Sequence, residues 1–199
     1  GQGVAHSQCI ESWLVGVPGL KVVAPSTPAD AWGLMHAALQ EDGPVVYVDH
    51  KRLFPTAGEL ARDAVPVPIG RAVVRRRGAD VTIATHSYMC RVADSAADRL
   101  AALGVACEIV DLRTLAPLDV DTVCESAART GALVTLEEGQ LACGIGAEVA
   151  YRVREKTGTM RVARVGALPA PVSSNPVLEA ASVPGPDEVV EAVRGLLRP

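Results

Sequence analysis

From residue 72 to the carboxy terminus, short apolar runs alternate with helical patterns, and that alternation constrains the fold more than any other feature. Residues 72–74 and 81–85 read as strands, with Arg75-Arg76-Arg77-Gly78 as an exposed turn between them. A helical pattern over 91–103 ends at Gly104, a residue suited to a left-handed cap. Residues 106–112 read as a strand, 120–128 as a helix, 132–136 as a strand and 147–154 as a helix. Residues 162–165 form a last short strand and 186–197 a closing helix. Strands separated by helices in this way predict an α/β fold, with a mostly parallel sheet covered on both faces.

The first 54 residues have the same grammar but less of it. A glycine-rich start, Gly1-Gln2-Gly3, leads into a short helical pattern over 10–14. Residues 20–24 are a largely apolar run bounded by Pro18-Gly19 and Pro25, hence a buried strand. Thr27 can cap a helix whose first position is Pro28, and Ala31, Leu34, Met35, Ala38 and Leu39 follow at helical spacing. Gly43-Pro44 stops it, and 45–48 reads as a second strand. Residues 55–68, with Gly58 and three prolines and no sustained period, read as a surface linker. Two strands and two helices cannot close a doubly wound domain. Residues 1–54 are therefore expected to be the carboxy-terminal part of a domain that begins elsewhere, and 69–199 a complete one.

Composition bounds the function classes. The chain has 199 residues, 49% hydrophobic and 21% charged, as in ordinary globular proteins. No apolar run approaches the roughly 18 residues of a membrane span. Nineteen basic and 23 acidic residues give a net charge of -4 without a basic stripe, so neither membrane nor nucleic acid is an expected partner. The chain opens on glycine with no secretory leader, and a cytoplasmic location is expected. Cys9, Cys90, Cys107, Cys124 and Cys143 form no C-x-x-C pair and are expected to be small hydrophobes rather than metal ligands.

Specific motifs then narrow the family. Gly3-Val4-Ala5-His6-Ser7-Gln8-Cys9, Trp13 and the run from Pro18 to Ser26 resemble the β subunits of pyruvate and branched-chain 2-oxo-acid dehydrogenases. Gly33-Leu34, Pro44-Val45-Val46 and Asp49-His50-Lys51-Arg52-Leu53 continue the likeness. The stretch from Asp111 to Asp119, Glu137-Glu138-Gly139 and Gly144-Ile145-Gly146-Ala147-Glu148 resemble the same subunits' carboxy-terminal domain, shared with transketolases. This likeness implies the end of a pyrimidine-binding domain (1–54), a linker (55–68) and a transketolase-type carboxy-terminal domain (69–199).

The resemblance also implies chemistry. Family members use thiamine diphosphate and magnesium, held mainly by a partner chain that carries a Gly-Asp-Gly motif. The glutamate that contacts the aminopyrimidine comes from an upstream part of the pyrimidine-binding domain, before the point where this sequence starts. His6 falls where the family places a histidine facing the thiazolium and the substrate, and an imidazole, with an ordinary pKa of about 6.5, can donate a proton and take it back. Gln8 and His86 are candidate substrate contacts, although the family usually has Tyr-Gly where this chain has His86-Ser87. Family aromatics near Gln140-Leu141 and Val172 are also missing. Ala38, Leu39, Glu41 and Gly43 match a helix-end turn where the family often binds potassium through backbone carbonyls. Gly144-Ile145-Gly146 imitates a phosphate-binding loop, but without a third glycine or a following acidic residue close helix packing is the expected reason.

The expected function is the β-side part of a multi-subunit enzyme, inactive alone, that cleaves a bond next to a ketone. It would pass the acyl fragment to a lipoyl or carrier acceptor. Its expected partners are an α subunit and a lipoyl acyltransferase or carrier protein, with dimerisation through the carboxy-terminal domain. Two alternatives remain: ketol transfer from a sugar phosphate, as in transketolase, and a non-catalytic assembly module.

Overall fold

The computed structural model describes residues 2–198, so Gly1 of the opening glycine-rich segment lies outside it. In chain order the first region contains α1 (Val4–Ser7), α2 (Glu11–Leu14), β1 (Lys21–Val23), α3 (Pro28–Ala38), β2 (Val45–Tyr47) and a 3₁₀ turn (Lys51–Leu53). No helix or strand occurs from residue 54 to 72. The second region contains β3 (Val73–Arg76), β4 (Val81–Thr85), α4 (Met89–Ala101), β5 (Cys107–Asp111) and β6 (Thr114–Ala116). It continues with α5 (Val120–Thr130), β7 (Ala132–Gln140), α6 (Ile145–Thr157), β8 (Arg161–Ala167), α7 (Pro176–Ser182) and α8 (Pro186–Leu197).

The strand–helix alternation closes as expected into a five-stranded sheet of order β3-β5-β4-β7-β8. Its strands are parallel except for β3, which runs antiparallel to β5. Every residue of β4 and β5 is buried, the polar Thr82, Thr85, Glu108 and Asp111 included, as befits central strands covered on both faces. Side chains alternate between two cores. Val81, Ile83, Ile109, Val134 and Leu136 pack under α4 and α8, whereas Ala84, Val110 and Leu133 pack under α5 and α6. Sequence-readable caps set the helix starts: Thr27 accepts from Asp30 N at the head of α3, and Asp119 from Thr122 N at the head of α5.

The two regions share a core. β1 pairs with β2 in parallel and with β6 antiparallel, so a strand from the second region completes a three-stranded sheet in the first. Val22 and Ala24 accordingly sit in the same cluster as Val110, Leu112 and Leu115. Polar contacts reinforce the seam. The Ser26 hydroxyl donates to the buried Asp111 carboxylate, Arg75 reaches Asp111 at 3.5 Å and Asp94 at 2.7 Å, and Arg113 pairs with Asp30 at 3.0 Å.

Two local expectations change. Arg75 and Arg76 lie within β3 rather than in an exposed turn, because their side chains have partners: Arg75 in the seam and Asp98 for Arg76 at 2.6 Å. The turn is tight because a Cβ on Gly78 would stand 2.1 Å from the Cys107 backbone. Strand β6 has no apolar period of its own, being three residues placed by β1.

Candidate functional site

In the five-stranded sheet, β4 leads through α4 to β5 on one side and β7 through α6 to β8 on the other. The connections therefore diverge between the carboxyl ends of β4 and β7, the place where open α/β sheets receive ligands. Here that crevice meets the first region. Residues 6–11 and 48–52 lie across it and form, with Gln2, Glu138 and Glu179, a cleft of about 260 Å³.

His6 sits on the short α1 and is exposed in this cleft, with Gln8 at the carboxyl end of the same helix. The loop is steadied by Lys51, whose ammonium donates to Gln2 Oε1 at 2.6 Å, and by Cys9, which packs against Gly139. Burial, then Glu11, Glu138 and Glu137, push the Cys9 thiol well up, so it stays protonated and is no nucleophile.

The opposite wall is built around His50. Its Nε2 lies 2.7 Å from Glu138 Oε2, its Nδ1 3.2 Å from Arg52 N, and its ring stacks on Tyr88 at 4.8 Å. Arg52 lies over the same tyrosine ring, 5.4 Å from its centroid, and pairs with Glu179 at 3.0 Å. Among the described residues the side-chain cations of the cleft, Lys51 and Arg52, thus have partners; of the four carboxylates that line it, Glu138 and Glu179 are held by His50 and Arg52, and Glu11 and Asp49 complete the set.

His86 does not line the cleft. It is 6% exposed just beyond β4, where burial holds the imidazole below its ordinary value against Glu11, Asp111 and Glu138, which favour the charged form. The ring is therefore neutral at neutral pH. Ser87 follows with φ 51°, the left-handed region that a glycine adopts more easily. The Thr85 and Ser87 hydroxyls on either side are buried without a hydrogen-bond partner among the described residues.

The Gly144-Ile145-Gly146 loop packs rather than binds phosphate. Glu137 accepts from Gly146 N at 3.2 Å and reaches Arg164 at 3.4 Å, so an internal carboxylate occupies the amino end of α6. A Cβ on Gly144 would stand 2.3 Å from Glu137 Oε2, and one on Gly146 2.5 Å from Thr135 Oγ1. At the turn after α3, the Ala38 carbonyl accepts from Glu41 N at 3.3 Å, and the Glu41 carboxylate binds Lys21. Among the described residues no cluster of three His, Cys, Asp or Glu side chains could hold a metal, and no helix is long and apolar enough to cross a membrane.

The structure thus joins His6 and Gln8 in one cleft and leaves His86 behind it. The His50–Glu138 link across the seam was not foreseen. Both members lie in motifs that stand out in the sequence, Asp49-His50-Lys51 and Glu137-Glu138-Gly139, but nothing in their spacing pairs them.

Comparison with known proteins matches both regions of the chain. The family described as "Transketolase, C-terminal domain" matches residues 70–189, and "Transketolase, pyrimidine binding domain" matches residues 1–56. The acetoin:2,6-dichlorophenolindophenol oxidoreductase subunit beta of Cupriavidus necator is 38% identical over 196 residues, 97% of this chain and 58% of that relative. The pyruvate dehydrogenase E1 component subunit beta of Rhizobium meliloti is 39% identical over 197 residues, 96% of this chain and 42% of that relative. The chain thus spans about half the length of these relatives. Among solved structures, a split gene transketolase described as an inactive beta4 tetramer superposes with a TM-score of 0.81 at 30% identity, over 94% of this chain and 60% of that one.

Proposed function

The chain belongs to the family of transketolase carboxy-terminal domains, and from that premise we propose that it forms one wall of a thiamine-diphosphate site in a heteromeric 2-oxo-acid dehydrogenase-like enzyme. The observation that carries this reading is the cleft on the seam, where His6 and Gln8 face open space above the carboxyl ends of β4 and β7. The reaction is cleavage of a bond next to a ketone, with transfer of the acyl fragment to a lipoyl or carrier acceptor. An α subunit and a lipoyl acyltransferase or carrier protein are its partners.

The residues present fit the reacting end of the cofactor rather than its diphosphate. Among the described residues the cleft offers an imidazole and an amide; its side-chain cations Lys51 and Arg52 are already bound to Gln2 and Glu179, and Glu11 and Asp49 add negative charge that disfavours a phosphate. The diphosphate and magnesium then belong to the partner chain. Thiamine diphosphate, when bound, supplies the carbon nucleophile and the electron sink. His6 holds a proton on its imidazole, donates it to the substrate oxygen as charge develops there, and takes it back as the fragment leaves. Gln8 orients the substrate through its side-chain amide. The carbonyls of Ala38, Leu39, Glu41 and Gly43 remain a proposed potassium site, and the setting is cytoplasmic.

Ketol transfer from a sugar phosphate is the second reading, supported by the likeness to the split gene transketolase. Reconstitution with a partner chain tests both, using 2-oxo acids, hydroxyketones and ketose phosphates as substrates. His6→Ala is expected to lower turnover roughly 10²–10⁴-fold without loss of folding. Wild-type turnover in that variant would remove His6 from the mechanism.

A further inference from the structure

The carboxyl end of β7 touches both walls of the cleft. Glu138 holds the 48–52 wall through His50, and the next residue, Gly139, meets Cys9 of the 6–11 wall: a Cβ built there would lie 3.8 Å from Cys9 Cβ. The walls also meet each other where Lys51 binds Gln2, four residues before His6.

The His50 ring has one protonation pattern that satisfies its surroundings. Arg52 N–H can only donate, so Nδ1 must offer a lone pair, and the single proton of the neutral ring sits on Nε2, where it donates to Glu138. Stacking on Tyr88 fixes the ring plane. The link is one-fifth exposed or less on both sides, 20% for His50 and 14% for Glu138, so water competes with it poorly.

We propose that Glu138 is a positioning residue for His6: it locks His50 in the Nε2–H form, and the 48–52 wall thereby held keeps the His6 loop in place. The consequence for turnover rests on the proposed function above; the positioning itself does not. A carboxylate at this point is needed as an acceptor, not as a charge, so Glu138→Gln should keep the link and Glu138→Ala should lose it. Losing a partly buried hydrogen bond and leaving its donor without an acceptor corresponds to about a tenfold or larger change in a local opening equilibrium.

Amide hydrogen exchange of the 199-residue chain, followed by mass spectrometry, tests this directly. Glu138→Ala should speed exchange about tenfold or more in both 48–53 and 4–11, with the β4, β5 and β7 core unchanged, and Glu138→Gln should stay close to wild type. Unchanged exchange in 4–11, or a Gln variant as loose as Ala, overturns the proposal. Should the Ala variant not fold, ¹⁵N spectra of the wild-type chain decide alone: His50 should show a protonated Nε2 and a bare Nδ1, and the reverse pattern overturns it. In a reconstituted enzyme Glu138→Ala should lower kcat more than it raises KM, with rescue by Gln. A turnover assay indifferent to His6→Ala would sink the catalytic reading while leaving the exchange result standing.

Discussion

The two regions are built from the same strand and helix units but stand up in different ways. The second region covers its sheet on both faces with its own helices, and its central strands are buried along their whole length. The first region owns only two strands, borrows β6 for a third, and buries no residue of α1 or α2. Trp13, Leu39 and Phe54 are more than two-thirds exposed, at 73%, 78% and 67%. One region is thus a scaffold and the other a layer laid on it. The cleft lies where they meet, which is where catalytic groups can be held by a rigid element while remaining on loops.

Substitutions can break this contrast. Ile83→Ala, at a fully buried position of β4, should cost roughly 3 kcal/mol in global denaturant unfolding, because the central strand cannot collapse onto the hole. Arg113→Ala removes one partner of the seam pair with Asp30. It should cost on the order of 2 kcal/mol, below the fully buried case because both side chains keep some exposure. Its signature should be local, with faster amide exchange in residues 21–38 and none in β4, β5 or β7. A uniform loss of protection would mean that the regions unfold as one.

The smallest effect is a pH dependence at the same seam. Burial, partly offset by Ser26 and Arg75, raises the Asp111 pKa above its ordinary value. The folded state therefore holds this proton more tightly than the unfolded chain, and the contribution of Asp111 to stability falls as pH rises from about 4 through the folded pKa. Asp111→Asn cannot titrate. The stability difference between the variant and the wild type should shift in favour of asparagine across that window, and a shift the other way would assign the carboxylate a net favourable charge.

Much of this scaffold was legible in the sequence. Buried strands such as 81–85 announce themselves as short runs rich in β-branched residues between turn residues, and Thr27-Pro28 marks the head of α3 through the chemistry of capping. Strand β6 was not legible, because three residues carry no period and their pairing with β1 is a tertiary fact. The same holds for Arg75, whose triple-arginine context reads as solvent while its partners lie far along the chain in Asp94 and Asp111. Of the cleft, His6 and Gln8 were legible through the His-Ser-Gln resemblance. The His50–Glu138 link joins residues 88 positions apart, and local sequence says nothing about such a contact.

Under the proposed function these residues form one wall of a shared site, able to meet the reacting end of a cofactor but not to hold its diphosphate. Calorimetric titration of the 199-residue chain with thiamine diphosphate and magnesium tests it most directly. With Lys51 and Arg52 already bound and Glu11 and Asp49 adding negative charge to the cleft, no binding is expected at micromolar concentrations, and binding and turnover should appear together once a partner chain bearing the diphosphate motif is added. Tight binding by this chain alone would contradict the account, because it would place the diphosphate in the part of the site described here.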